Sequence, residues 1–436
     1  MKYLGALVGG AAMPLLLLLV GGYFTAVLGR YFLRAPRRGL SGMLRAGGGH
    51  GTTPARAVSM ALAGTLGVGN IAGVAAAITV GGAGAVFWMW VAALVAMPLK
   101  YAEIVLAQLT RARDGEGRAH GGAMYYMKAA VGGGAGRAVA AVFAVLLILC
   151  TLTLGSLLQA RAAAEAMGGV FGCPQMLVGA AMALLALPVL LGGARGVERV
   201  CARLVPFLCV AFTVAALAVL IVRRAAIPAA LAAIFQDALT PAAGVGGLLG
   251  VLTSRAVRFG VARGLVSNEA GCGTAPIAHA AAEAQSPAQQ GLWGIFEVFV
   301  DTVLLCTLTA LVILVAGEGA VGDGVMLAIS AFGAVLGPVA PPLIAFAVLL
   351  FAFATVLAWA HYGAEALSYL TGGKRGARLL AVAVAFATLL GAVTAPDFVW
   401  GATDLTLGAM TLLNLATLFH ARRTVIRETK RFYGRE

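Results

Sequence analysis

Long apolar runs joined by short polar connections make up most of the chain. They lie at roughly 4–28, 58–78, 85–108, 137–167, 175–193, 204–222, 229–252, 289–316, 338–369, 379–395 and 403–420. Crossing a hydrocarbon core about 30 Å thick takes about 20 helical residues, so the pattern predicts an all-α polytopic membrane protein with about eleven transmembrane helices. Two of the runs are broken by glycine, one at Gly67, Gly69 and Gly73 and one at Gly244, Gly246, Gly247 and Gly250. A broken helix frees backbone groups that lipid cannot satisfy, so each break must be buried in protein or line a wet cavity. The polar stretches 30–56, 111–136 and 255–290 are connections, and the last, rich in small and polar residues, reads as a helical or re-entrant loop rather than a full span.

Leaving out the first helix, the breaks fall in core helices one and six. Equivalent breaks five helices apart are what a five-plus-five inverted repeat produces. The expected layout is one membrane domain over 1–436, with an additional N-terminal helix in 1–30, repeats at 57–222 and 229–421, and a basic tail at 422–436.

Composition narrows the class further. With 61% hydrophobic and 11% charged residues and a mean hydropathy of +0.96, a soluble domain is excluded. The net charge of +14 does not point to nucleic acid, because its placement follows topology. With the N-terminus outside and the chain alternating, inside loops receive Arg30 to Arg56, Arg111 to Arg137, Arg195 to Arg203, Arg255, Arg258 and Arg263, Lys374 to Arg378, and the tail from Arg422. The positive-inside rule therefore places the C-terminus in the cytoplasm of a cell-membrane protein. The first run is too long for a cleaved signal, and its cations follow rather than precede it. Six cysteines show no metal-ligand spacing and read as free buried thiols. Neither a hydrolytic triad nor a His/Glu metal motif is present to suggest an enzyme.

Several segments occur in a telling order: Gly69-Asn-Ile-Ala-Gly73, Gly84-Ala-Val-Phe-Trp-Met-Trp90, Gly121-Gly-Ala-Met-Tyr-Tyr126, Gly264-Leu-Val-Ser-Asn-Glu-Ala-Gly271, Ala275-Pro-Ile-Ala-His279, Asp301-Thr302 and Tyr362-Gly363. Across nearly its whole length the chain resembles the alanine/glycine:cation symporters, within the superfamily that shares the LeuT fold. The resemblance implies ten core helices plus the N-terminal one. It also implies coupled uptake of a small neutral amino acid with sodium, without any cofactor beyond the coupling cation. A proton-coupled or exchange carrier of the same fold is the alternative.

An amino-acid substrate presents a carboxylate and an ammonium, and half-helix ends offer amides to the first and carbonyls to the second. Gly67, Gly69, Gly246 and Gly247 allow close backbone approach, and Ile71 lies beside them; together with Gln159 and Trp359 they are the expected substrate contacts. Gln159 matches a substrate-contacting glutamine of the family, and Trp359 a pocket wall. The expected cation ligands are Thr65, Leu66, Asn70 and Thr355; the resemblance implies that role for Asn70, an amide-oxygen donor, and for Thr355. Gly67-Val-Gly-Asn70 stands where the family usually has Gly-Thr-Gly-Asn, Ala354-Thr355 where two threonines are common, and Gln159-Ala-Arg161 where Gln-Ser-Asn is usual.

Lys100 and Glu103 are spaced to pair along one helix, and so are Arg161 and Glu165. Asp301 reads as a proton site or a cap. Glu269 and His279 read as gate or scaffold.

Overall fold

In the computed structural model of the protein, which describes residues 12–34, 52–115, 117–239, 255–373 and 376–434, each long apolar run within those residues forms a helix. The order begins with α1 (Ala12–Arg34), α2 (Pro54–Thr65), α3 (Ala72–Gly81) and α4 (Gly84–Thr110). A short hairpin follows, β1 (Ala112–Arg113) and β2 (Ala119–His120), and then α5 (Ala123–Val131), α6 (Gly133–Leu152), α7 (Gln159–Phe171), α8 (Gln175–Leu191), α9 (Ala194–Val222) and α10 (Ile227–Leu239). The later helices are α11 (Arg255–Asn268), α12 (Ala275–Ala280), α13 (Pro287–Val298), α14 (Thr307–Ala316), α15 (Gly324–Leu336), α16 (Ala340–Thr371), α17 (Ala377–Val393), α18 (Pro396–His420) and α19 (Arg422–Tyr433).

Among the described residues seven helices are long and apolar enough to cross a membrane, or eight when α2 and α3, bent by 62° at their junction, count as one span. Three shorter apolar helices are α8, α15 and α17. In the centre α4 packs against both α11 and α13, and α16 packs against α6, α7 and α9. Small residues at these crossings let backbones approach, the usual basis of helix packing in lipid.

Two helices carry wide π turns, at Thr153–Leu158 between α6 and α7 and at Phe299–Cys306 between α13 and α14. Such turns shift side-chain phase and often mark functional positions. Here the first immediately precedes Gln159 and the second contains Asp301.

Several expectations change. The 244–250 glycine break, with Gly246 and Gly247, lies outside the described residues. A break that they do contain runs from Glu269 to Thr274, between α11 and α12, in the stretch expected to be a connection. Hydropathy misplaces this stretch because its polar side chains are buried against partners: Ser267, Asn268, Glu269, Thr274 and His279 are all at most 2% exposed.

Arg255 also moves to the other end of the molecule from Arg111. A Cβ on Gly81 would lie 3.3 Å from the Arg255 carbonyl oxygen, whereas Arg111 Nη1 donates to the Ala282 carbonyl at 2.7 Å, beyond the far end of α12. Arg255 and Arg258 therefore do not share an end with the Arg111 group; counting α11 as a connection had put them there.

The residues of the two expected intrahelical pairs are not hydrogen-bonded to each other, although Lys100 still acts electrostatically on Glu103 and Arg161 on Glu165. Lys100 Nζ bonds Glu297 Oε1 on α13 at 3.0 Å, with both side chains fully buried. Arg161 donates from Nη1 to Gln175 Oε1 at 3.3 Å, and Glu165 leans towards Gly324, whose Cβ would lie 3.4 Å from Glu165 Oε1. For Lys100 a fixed partner across the interface takes the hydrogen bond that the neighbour three residues away could otherwise accept. All six cysteines are free thiols.

Candidate functional site

The chain between α2 and α3 turns through Leu66 and Gly67 into one 3-10 turn, Val68–Asn70, and re-enters a helix after Ile71. Its backbone groups are met locally or by neighbours. Leu66 N–H donates to Leu62 O at 2.7 Å and Gly67 N–H to Thr65 O at 2.8 Å. Val68 N–H donates to Gln159 Oε1 at 3.1 Å, while Gln159 Nε2 donates to Leu154 O within the π turn at 3.1 Å. The Ala63 carbonyl near the end of α2 accepts from Thr355 Oγ1 at 2.9 Å. Gly67 is required by this approach: a Cβ there would stand 2.7 Å from Gln159 Oε1 and 2.8 Å from Thr355 Oγ1.

Asn70 points away from that group. Its Nδ2 donates to Asp301 Oδ1 at 2.7 Å, to the Asp301 carbonyl at 3.0 Å and to Ser267 Oγ at 3.2 Å. Ser267 and Thr302 hydroxyls both donate to Asp301 Oδ2 at 2.7 Å, and Cys306 Sγ lies 3.2 Å from Ser267 Oγ. Asn70 Oδ1 is buried and has no hydrogen-bond partner. The cluster thus combines a fully buried carboxylate, hydrogen-bonded by neutral donors with Lys100 acting on it at longer range, with an amide oxygen left open. A carboxylate so buried is stabilised by a counter-charge or by a proton, and hard oxygen donors suit a small cation.

The expected cation ligands consequently divide. Asn70 belongs with Ser267 and Asp301, while Thr355 faces the end of α2. The Thr65 hydroxyl turns back onto its own helix, 3.4 Å from Ala61 O, and Leu66 is buried at the break. Gly69 lies against Ser267, its Cβ position 3.5 Å from Ser267 Cα. Ser267 was legible only as part of the Ser267-Asn-Glu motif, and Cys306 carried no signal.

Buried partners also hold the turn between α11 and α12. Glu103 Oε1 accepts from Gly273 N–H at 2.8 Å and from Asn414 Nδ2 at 2.5 Å, and Asn414 Nδ2 also reaches Gly271 O at 2.9 Å. Ala270 N–H donates to Asn268 Oδ1 at 3.0 Å. Beyond it, Gln290 Nε2 donates to His279 Nδ1 at 2.8 Å, which leaves His279 Nε2–H to donate to Glu297 Oε2 at 3.1 Å. Sequence reasoning missed Glu297 and Asn414, although a polar residue inside an apolar run is itself a sign of a buried partner.

A cavity of 1580 Å³ opens at one end of the molecule, lined among others by Thr52, Arg113, Arg195, Arg199, Glu198 and Glu365 and reaching Met60, Ile277 and Ala360. Between its inner lining and the first break stands Tyr362, whose hydroxyl would lie 2.7 Å from a Cβ on Gly64 and donates to Met60 O at 3.4 Å. Trp359 is fully buried, its ring centroid 5.8 Å from that of Tyr362.

At the cavity mouth His120 holds the hairpin to α16, with Nδ1 2.9 Å from Glu365 and Nε2 3.1 Å from Asp114. The bond to Glu365 outweighs partial burial and, with Asp114 adding to it, raises the imidazole to about 9.

The sodium:alanine symporter family profile matches residues 1–436. The sodium/alanine symporter AgcS of Methanococcus maripaludis is 37% identical over 383 residues, 86% of this chain and 83% of its own length. The amino-acid carrier protein AlsT of Bacillus subtilis is 35% identical over 371 residues, 85% of this chain and 78% of its own length. Among solved structures, a mutant of the manganese transporter of Eremococcus coleocola shares the fold with a TM-score of 0.51 at 15% identity, over 84% of this chain and 75% of that one. With a whole-length profile match and relatives above 30% identity, this multi-pass membrane protein belongs to the sodium:alanine symporter family.

Proposed function

We propose that the protein imports a small neutral amino acid, alanine or glycine, coupled to sodium, by alternating access. The scaffold is a LeuT-like five-plus-five inverted repeat with an additional N-terminal helix, eleven crossings in all. Its repeats occupy 57–222 and 229–421, and their broken helices are α2 with α3 and α11 with α12. The observation that carries the reading is the buried, unpartnered Asn70 Oδ1 beside the Asp301 carboxylate, at the contact between the two broken helices.

Sodium as a co-substrate fits these donors. Asn70 Oδ1 and Asp301 would hold it, with Ser267 orienting the carboxylate. Thr65, Leu66 and Thr355 form a second cation position: the Thr355 hydroxyl, while donating to Ala63 O, keeps lone pairs for an ion. The substrate lies beside the first break, against the backbone of Gly67 and Gly69, with Ile71, Gln159 and Trp359 as walls. Gln159 already bonds the Val68 amide, so it links substrate contact to the geometry of the break. Neutralisation of Asp301 by sodium would tighten the α11 contact with α13 and α3 and favour closure around substrate.

Cation clustering supports an N-terminus outside and a C-terminus in the cytoplasm, since Arg56, Arg113, Arg195, Arg199 and Arg203 all line the open cavity. In that orientation the protein faces inward. The test is sodium-stabilised melting of purified protein. Sodium should raise the melting temperature of the native protein and do so weakly in Asp301→Asn, whereas equal shifts by sodium and potassium in both proteins would remove the assignment.

A further inference from the structure

Glu269 has φ 52°, the sole non-glycine residue with positive φ among the described residues. A side chain keeps such a conformation only where its surroundings over-determine it. Its carboxylate is what the surroundings hold. Oε2 accepts from the Thr274 hydroxyl at 2.7 Å, spanning the break from its first residue to its last. Oε1 accepts from the indole Nε1–H of Trp359 on α16 at 3.0 Å. The same tryptophan receives a bond from Thr151 Oγ1 at its carbonyl, 3.1 Å, and Thr355, one turn earlier, donates to the end of α2. Trp359 thus stands where the two broken helices are joined through α16, and Glu269 is the joint on the second of them.

We propose that Glu269 is a positioning residue for transport, fixing the Trp359 indole so that the substrate wall is in place only while the 269–274 turn keeps its present winding. Rearrangement of the turn withdraws the carboxylate and frees the indole, which ties substrate release to movement of the second broken helix. The inference rests on Trp359 being part of the substrate wall.

Glycine at 269 relieves the positive φ but removes both side-chain bonds, so a purely structural role expects Glu269→Gly to change its melting temperature while keeping its KM. Alanine uptake into proteoliposomes should instead show KM raised about tenfold in both Glu269→Gly and Trp359→Phe, the loss of one buried hydrogen bond. The maximal rate per folded transporter should change less than about twofold, because the bond holds the wall rather than driving the movement. The double variant should be no worse than either single one, as residues sharing one interaction require. Glu269→Gln, which keeps an acceptor oxygen for the indole, should stay within about threefold of the native KM. Additive single effects, or a native KM in Glu269→Gly, overturn the proposal. A native KM in Trp359→Ala overturns the wall assignment and the proposal with it.

Discussion

In the proposed reading, Asn70 is the residue on which the coupling chemistry turns. Its amide nitrogen is spent on Asp301 and Ser267 and its oxygen is open, an arrangement that costs stability unless an ion completes it. Asn70→Ala should raise the sodium concentration for half-maximal uptake about tenfold, as expected for one lost ligand to a charged group. Without sodium it should also melt lower, since the buried Asp301 loses its amide donor. Unchanged sodium dependence would take Asn70 out of the site. Lys100 and Glu297 obey a different rule. Both are fully buried and bonded at 3.0 Å, so Lys100→Met should destabilise by about 3–5 kcal/mol by leaving Glu297 uncompensated. Adding Glu297→Gln should restore most of that. Thermal melting of the two variants checks this, and a double variant no more stable than the single one would show that the pair is not what matters.

At the level of elements, the two breaks differ in how visible they were. Gly67 and Gly69 interrupt an otherwise apolar run, and Asn70 follows them directly, so the first break could be read from the residues alone. The second break sits among residues whose polarity resembles a surface connection. Its place inside the bundle depends on Glu103, Asn414, Asp301 and Trp359, which lie as many as 170 positions away, and no local pattern announces them. The π turns were equally silent, because a single extra residue per turn leaves hydropathy unchanged.

The hairpin before α5 allows a separate test. His120 titrates near 9 when docked against about 6.5 when free. The imidazolium's bonds to Glu365 and Asp114 therefore contribute fully below about 6.5, and that contribution is lost as pH rises through about 9. His361, Tyr125 and Tyr369 also lie near Glu365. The melting difference between native protein and His120→Gln should be largest near pH 6 and vanish above about 9; a constant difference across that range would show that the charge does not hold the hairpin.

For the whole molecule, the polytopic, mostly helical character followed from the apolar runs, because it depends only on what lipid requires; of the eleven runs, seven form helices long enough to cross a membrane among the described residues, or eight with the bent pair. The assignment of Arg255 and Arg258 to the basic end failed because α11 is part of the bundle rather than a connection, and Arg263, its guanidinium 4.0 Å over Trp400 and 3.6 Å from Asp404, reports packing rather than topology. The cavity at the basic end is separated from the first break by Tyr362, which contacts Gly64 and Met60. The most direct measurement is uptake of labelled alanine into proteoliposomes of the purified protein under an inward sodium gradient, beside Asn70→Ala and beside a proton gradient alone. Accumulation above equilibrium that requires sodium, and that needs about tenfold more of it in Asn70→Ala, is the expected result. Accumulation driven equally well by protons without sodium, with Asn70→Ala behaving as native, would contradict it.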